Sequence, residues 1–487
     1  MVNKQLIELF GKDKVTDRPD ALKKYAKSAH LDQGIAPVAV IKAGSAEDVE
    51  KAVKWANETK TPLVPVSSTG KHYRGGSNPS VPQAVMLDLS EMKKIRSINR
   101  TFRMTVIEPG VTYGEIQEAL KKEGLRMNTS LAPRSDKSVI ADLLEVNPRV
   151  DPTTQWSYKE PLRCVEVVWG DGQKMGTGEA YGPALEVHQA NGKWQINPDG
   201  PAHIDYNRML AQAEGTMGVV TWASVHCCTL PSIHRMFMVP AANFSELESF
   251  LYKVTKLRFG TEFLVLNAAD LANLLAGSRK EVAELQAKLP AWTALVGVSA
   301  ADLLPEKKYE QQYLDLLDTA QECGLEMVPS VNGISGDAIL PHVIEPCPAD
   351  RYWKETRKGA FADIVFVCTM DKVQGFVDLM MKTASEHGID PGTVGTYVQP
   401  QHQGVSCCVE FTIAYDPKNS IETKNAKALF DDASEKLAHA GAFYTRPYGK
   451  WARIQYNKDA QSTIMIRRLK DIFNPNNILN PGKLTDY

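Results

Sequence analysis

Between Pro65 and Pro79 the chain gathers Gly70, Gly75 and Gly76 among the hydroxyls of Ser67, Ser68 and Thr69 and the cations Lys71 and Arg74. Glycines reach positive φ and let backbone N–H groups converge on an anion, while hydroxyls and cations add donors and charge to such a nest. This is equipment for holding a phosphate, and a pyrophosphate is its natural guest. His72 and Tyr73 stand in the same loop. The spacing matches neither G-x-x-x-x-G-K-[ST] nor a G-x-G-x-x-G between strand and helix, so a different nucleotide-binding design is expected, with a ligand-free turn as the alternative.

Two further stretches carry reactive side chains. In residues 442–453, Tyr444, Arg446 and Tyr448 combine phenolic hydroxyls with a permanent cation, which suits them to gripping a phenolate or carboxylate. A surface loop with a solvated arginine is the plain alternative. In residues 397–411, His402 lies in a polar run and Glu410 within a strand pattern, where a carboxylate is costly to bury without a partner or a task. His402 with Cys407 and Cys408 does not read as a metal site, because adjacent residues of a strand project to opposite faces.

These residues need elements to place them. Val38 to Ile41 reads as a strand, and Ser45 with Asp48 forms an N-terminal cap for a helix carrying Val49, Ala52, Val53 and Ala56 on one face. Leu63 to Val66 is the next strand, so the glycine loop leaves a small α/β unit. Thr112 and Glu115 form a capping box after the break at Pro109 and Gly110, and open a helix reaching toward Arg126. Cys164 to Trp169 is a strand, and Gly170-Asp171-Gly172 reads as a hairpin turn rather than a dinucleotide fingerprint, since nothing helical follows. After Leu230 and Pro231 come helical patterns at 280–289 and 309–323 and strands at 363–368 and 409–415, which suggest a separate α+β domain.

Four segments in order carry a resemblance: the glycine loop; residues 84–90 with 104–116; Ala213-Glu214-Gly215-Thr216-Met217-Gly218-Val219-Val220-Thr221; and residues 473–483 with Asn480-Pro481-Gly482-Lys483. Together they resemble the vanillyl-alcohol oxidase / p-cresol methylhydroxylase flavoproteins over the N-terminal half and the last thirty or so residues. The resemblance implies an α+β fold, with a two-lobed PCMH-type FAD-binding domain at 1–232, an α+β cap or substrate domain at 233–434, and a segment at 435–487 returning to the first domain. It implies noncovalent FAD, contacted by Pro65, Ser67, Ser68, Thr69, Gly70, Lys71, His72 and Tyr73. Pro109, Gly110 and Ser138 join them, as do Glu214, Gly215, Gly218, Val219, Val220, Asn480 and Lys483. Family members carry a tyrosine and an arginine where this chain has Tyr444 and Arg446, gripping the ionised oxygen of a 4-substituted phenol. The chain departs from the aryl-alcohol enzymes in reading Arg74-Gly75-Gly76 where they place glycine-tyrosine-glycine, with a tyrosine displaced to Tyr73. Their active-site aspartate falls near Ser157, with Glu160 the closest carboxylate. The tether positions fall at Lys71, beside His72, and near Gly395, close to Tyr397.

The function implied is an FAD-dependent oxidoreductase that removes hydride from an activated C–H of an aryl alcohol or alkylphenol, with Tyr444, Arg446, Tyr448, Glu410 and His402 as catalytic candidates. The alternatives are a D-2-hydroxy-acid dehydrogenase, weakened by the lack of an H-x-G-D-G-N-x-H segment, a flavin-binding electron-transfer subunit, and a UDP-sugar reductase. Dioxygen, a cytochrome, a quinone or a flavoprotein is the electron acceptor expected, and a homo-oligomer or a subunit of a complex the assembly. The composition agrees: 487 residues, 43% hydrophobic, 23% charged, with a net charge of -2, give no electrostatic footprint for nucleic acid. No apolar run reaches membrane-spanning length and no secretory signal is seen, so a cytoplasmic location is expected. Eight cysteines without a C-x-x-C read as reduced thiols.

Overall fold

The computed structural model describes all residues except 1, 27–30, 32–33, 69, 74, 155–159, 179–199, 201–202, 402–405 and 486–487. The N-terminal lobe begins with the expected βαβ unit. Ser45 caps the helix Ala46–Thr59 by accepting from the Asp48 N–H, and the buried face of that helix presents Val49, Ala52, Val53 and Ala56 to the sheet. Strands Ala39–Lys42 and Leu63–Val66 both pair in parallel with Val85–Asp88 between them. Leu63–Val66 is therefore an edge, which tolerates Pro65.

The C-terminal segment closes that edge. The Leu63 N–H donates to Ile478 O at 2.7 Å and the Asn480 N–H to Leu63 O at 2.8 Å. A second, antiparallel sheet, ordered Ile95–Asn99, Met104–Ile107, Gly218–His226, Leu162–Trp169, Lys174–Gly176, forms the other lobe. The turn at Gly170–Gly172 is the hairpin read from the sequence, with Gly172 at φ +87°. The helix Tyr113–Lys122 starts at the capping box of Thr112 and Glu115, and packs its buried Ile116 and Leu120 in the core of this lobe.

The second domain is a six-stranded antiparallel sheet, ordered Ile233–Ala241, Trp292–Ala300, Phe263–Asn267, Gly395–Gln401, Ser406–Tyr415, Ala360–Cys368. Side chains alternate between its two faces. One face, with Val265, Val398, Val409, Phe411, Ile364 and Phe366, packs against helices Val373–Glu386 and Ser420–His439. The opposite face runs from Met238, Leu295 and Leu266 through Tyr397 to Glu410 and Asp363, as the cross-strand pairs require. Its apolar part is covered by helices Ala268–Leu275 and Gly336–Ile344. Its acidic part is left to face the first domain.

The helix Ser420–His439 runs across the boundary expected at 434, and Ala442, Tyr444, Tyr448 and Trp451 lie in the cap core. The returning chain meets the first domain at Arg446, which pairs with Glu145, and packs apolar residues on it at Tyr456, Phe473 and the segment around Leu479. Cys407 and Cys408 point to opposite faces of their strand: Cys407 belongs to the cap core, with its Sγ 3.7 Å from that of Cys368. Among the described residues no helix is long and apolar enough to cross a membrane.

Candidate functional site

One cavity runs from the glycine loop to the acidic end of the cap sheet. At its first end Pro65, Ser67, Ser68, Lys71, His72 and Tyr73 meet Pro109 and the segment holding Glu214, Gly215, Gly218, Val219 and Val220. The loop is tied down from several sides. Ser68 Oγ accepts the Ser138 N–H at 3.1 Å, and Ser138 caps the helix Val139–Leu144 while donating to Pro109 O at 2.6 Å. Arg134 donates to Lys71 O at 2.5 Å. Asn480 Nδ2 donates to Gly76 O and Glu214 O at 2.9 and 2.6 Å, so the C-terminal segment clips loop and strand together.

Close approach explains the glycines. A Cβ on Gly76 would stand 1.9 Å from Glu214 Oε2, and one on Gly70 would stand 2.0 Å from Asp136 Oδ2. Gly110, at the break after Pro109, has the backbone carbonyls of Ser90 and Met92 within 2.8 Å of where its Cβ would be. Gly70, Gly110, Ser138, Asn480 and Lys483 support this end from behind rather than line it. Burial lowers the pKa of Lys483, against the pull of Glu214, and lowers that of His72 to about 4, with Lys137 and Arg134 acting the same way. The ring of His72 is neutral at pH 7. Thr69 lies outside the described residues.

These features suit a phosphate-bearing cofactor. The cradle is of glycines, hydroxyls and Lys71, and the buried Oδ1 of Asn480 has no hydrogen-bond partner within the protein.

At the cap end the wall is aromatic. Tyr73 of the glycine loop lies 4.8 Å from Phe361 and 5.1 Å from Tyr352 between ring centroids, with the Arg134 guanidinium 5.1 Å from the Tyr73 ring. Beyond the rings sits Lys354, from the short turn Trp353–Glu355, buried between Asp363 at 2.7 Å and Glu410. Thr412 adds a third hold, donating to Asp363 Oδ1 at 3.1 Å. Burial opposes the charge on Lys354, but Asp363 and Glu410 overcome it and raise its pKa above the usual lysine value. Behind it, Asp270 is fully buried with no hydrogen-bond partner at either oxygen, and burial raises its pKa to about 7.

Between the two ends lies a polar network. Asp142 accepts from Arg149 at 2.7 Å, from Tyr113 at 2.7 Å and from Asn147 at 2.6 Å. Burial opposes its charge, but Arg149 and Lys137 keep its pKa low. Glu145, at the end of the same helix, pairs with Lys137 at 2.7 Å and with Arg446 at 3.2 Å.

The structure thus brings Arg446 and Glu410 to one cavity with the glycine loop, and does not bring Tyr444 and Tyr448 there. Tyr444 donates to Ser434 O at 2.8 Å and stacks on Trp451 at 4.9 Å, and Tyr448 packs tilted against the same tryptophan at 5.0 Å. Both are cap-core residues, because the chain around them is still packing on the helix Ser420–His439. His402 and Ser157 lie outside the described residues, and Glu160 pairs with Arg163 at 3.3 Å. Sequence reading missed Lys354, Asp363 and Asp270. Asp363 carried a signal, a carboxylate in an otherwise apolar strand, whereas nothing in Tyr352-Trp353-Lys354 marks the lysine as buried.

Comparison with known proteins fits this geometry. Residues 37–141 match the FAD binding domain family and residues 359–484 the C-terminal domain of FAD linked oxidases. The flavoprotein subunit of 4-cresol dehydrogenase [hydroxylating] from Pseudomonas putida is 30% identical over 200 residues, which cover 39% of this chain and 36% of that protein. Glycolate oxidase subunit GlcD of Bacillus subtilis is 23% identical over 503 residues, 99% of this chain and 96% of the relative. The first curated relatives are matched over about a third of their own length, 35% and 36%. The crystal structure of p-cresol methylhydroxylase with substrate bound shares the fold, with a TM-score of 0.82 at 18% identity over 99% of this chain and 96% of that one. The cradle at the glycine loop, the returning C-terminal segment and these matches agree: the chain carries the FAD binding domain and the C-terminal domain of FAD linked oxidases in a PCMH-type fold, with FAD as its cofactor.

Proposed function

We propose that the chain is an FAD-dependent oxidoreductase that removes hydride from an activated C–H on a small aromatic substrate, an aryl alcohol or alkylphenol. The observation that carries this reading is the wall of Tyr73, Tyr352 and Phe361, which opens onto the same cavity as the FAD-binding segments. Rings packed on one another at such distances make a continuous apolar wall for a planar guest to lie against.

FAD, when bound, supplies the hydride acceptor. The protein's part is to hold it through the glycine loop, Pro109, Glu214–Val220 and Asn480, to lay the substrate ring against the aromatic wall, and to present Glu410 and Arg446 to its polar groups. Glu410, on the cap sheet, is the group placed to accept a hydroxyl proton. Arg446 spans from the cap to Glu145 and Asn147, and fixes the wall between the two ends.

A second reading, oxidation of a 2-hydroxy acid, is favoured by the near full-length similarity to glycolate oxidase subunit GlcD. The electron acceptor is taken to be a separate small molecule or protein, and the chain to work as a homo-oligomer or in a complex. Anaerobic mixing of the FAD-loaded protein with aryl alcohols, alkylphenols and 2-hydroxy acids decides between the readings. Loss of flavin absorbance near its visible maximum is expected with the aromatic substrates. Bleaching by the hydroxy acids alone supports the second reading, and bleaching by none removes both.

A further inference from the structure

We propose that Lys354, clamped between Asp363 and Glu410, sets the selectivity of the cavity: the carboxylate pair accepts a hydrogen bond from a neutral hydroxyl of the substrate and turns away substrates that present a carboxylate or phenolate at that end. The inference rests on the reading of this cavity as the substrate site and names what enters it.

Three observations support it. First, the cluster sets one lysine against two carboxylates, all three buried, and so carries a net negative charge facing the cavity. A carboxylate accepts hydrogen bonds and donates none, so Asp363 and Glu410 suit a donor and not another anion. Second, the group held behind the cluster is another acid. Asp270 sits against Gly395, where a Cβ would stand 1.9 Å from Asp270 Oδ1, and Lys354, Glu410, Asp363 and Arg357 are the charged groups that act on it. Third, the described cations of the cavity lie against carboxylates: Lys71 against Glu355, Arg134 against Asp136, and Lys137 and Arg446 against a shared Glu145. An anionic substrate competes with these carboxylates for the cations.

Lys354 acts as a positioning residue. Without it, Asp363 and Glu410 repel one another, one takes up a proton, and the pair becomes a donor as well as an acceptor. The preference for a neutral hydroxyl is then lost.

The test uses the FAD-loaded protein at pH 7 and two ligands with the same ring and methyl group, 4-methylphenol, which is neutral, and 4-methylbenzoate, which is ionised, with binding measured by titration calorimetry. The phenol is expected to bind at least about tenfold more tightly, and Glu410→Gln to weaken it by about tenfold and narrow the ratio, the size expected for a lost hydrogen bond to a charged group. Lys354→Met is expected to narrow the ratio similarly and Lys354→Arg to restore it. Should Lys354→Met fail to fold, the near-isosteric Glu410→Gln decides alone. Benzoate bound as tightly as the phenol, no binding of the phenol, or a ratio untouched by Glu410→Gln overturns the proposal. Flavin bleached by aromatic substrates with an unchanged ratio sinks the clamp and leaves the oxidoreductase, whereas selective binding without bleaching does the reverse.

Discussion

Tyr444 and Arg446 are two residues apart, yet the structure gives them separate roles. Arg446 lines the cavity and reaches back to Glu145 and Asn147 in the other domain, while Tyr444 is buried among cap aromatics with its hydroxyl on Ser434 O. Tyr444→Phe is therefore expected to lower stability by about 1 kcal/mol, the cost of one lost hydrogen bond at a buried carbonyl, and to leave the rate of flavin reduction unchanged. Arg446→Ala is expected to slow flavin reduction by about tenfold or more, because Glu145 loses its hold and the cavity wall shifts. Denaturant titration and stopped-flow absorbance on the two variants separate the roles. The pair also shows where sequence reading stopped. Phenols and a cation in one short segment are readable, but which of them faces a cavity depends on packing against a helix that the local pattern does not reveal.

At the scale of elements much was legible, because the signals were local. The caps at Ser45 and Thr112, the strand at Leu63–Val66 and the hairpin at Gly170 each follow from residues within a few positions, and all stand where the sequence puts them. The cap-end cluster was not legible, since Lys354, Asp363, Glu410 and Asp270 come from a short turn, two paired strands and a helix that meet only in the folded chain. Gly395 links two of these elements, admitting the Asp270 carboxyl between the helix Ala268–Leu275 and the sheet. This arrangement has a signature in pH. The folded pKa of Asp270, about 7, lies above its usual value of 3.8, so the folded state keeps a proton that the unfolded chain gives up. The stability this confers is full below about pH 4 and is lost as pH rises to about 7. Asp270→Asn removes that dependence, and the stability of the variant relative to the parent is expected to rise between those two values and then level. Urea unfolding across the range measures it, and a constant difference shows that Asp270 is ionised throughout.

At the scale of the whole molecule, the site exists because two domains are held in one arrangement, and a buried charge pair away from the cavity helps to fix it. Arg126 of the first domain meets Glu262 of the cap at 2.8 Å, with Arg126 5% exposed and Glu262 fully buried, and His234 lies 2.8 Å from the same carboxylate. Burial opposes the charge on Glu262, but Arg126 and His234 overcome it and keep the carboxyl well below its usual range. Breaking such a pair from one side is more costly than the pair is worth, since the remaining charge stays buried, at about 3–5 kcal/mol. Asp151 moderates the loss. Burial and then Glu262 raise its pKa to about 6, so at pH 7 it is mostly ionised and remains as a negative charge near Arg126 when the Glu262 charge is removed. Glu262→Gln is thus expected to destabilise the protein by less than that figure, about 2 kcal/mol, with the greater part falling on the contact between the domains. Calorimetry is expected to show one unfolding transition in the parent and two in the variant, the separated cap and first domain, with the FAD-linked gain in stability confined to the transition of the first domain. A single transition shifted as a whole shows that the domains are held together elsewhere, for which the contacts of Arg446 and of Lys71 with Glu355 are the next to remove.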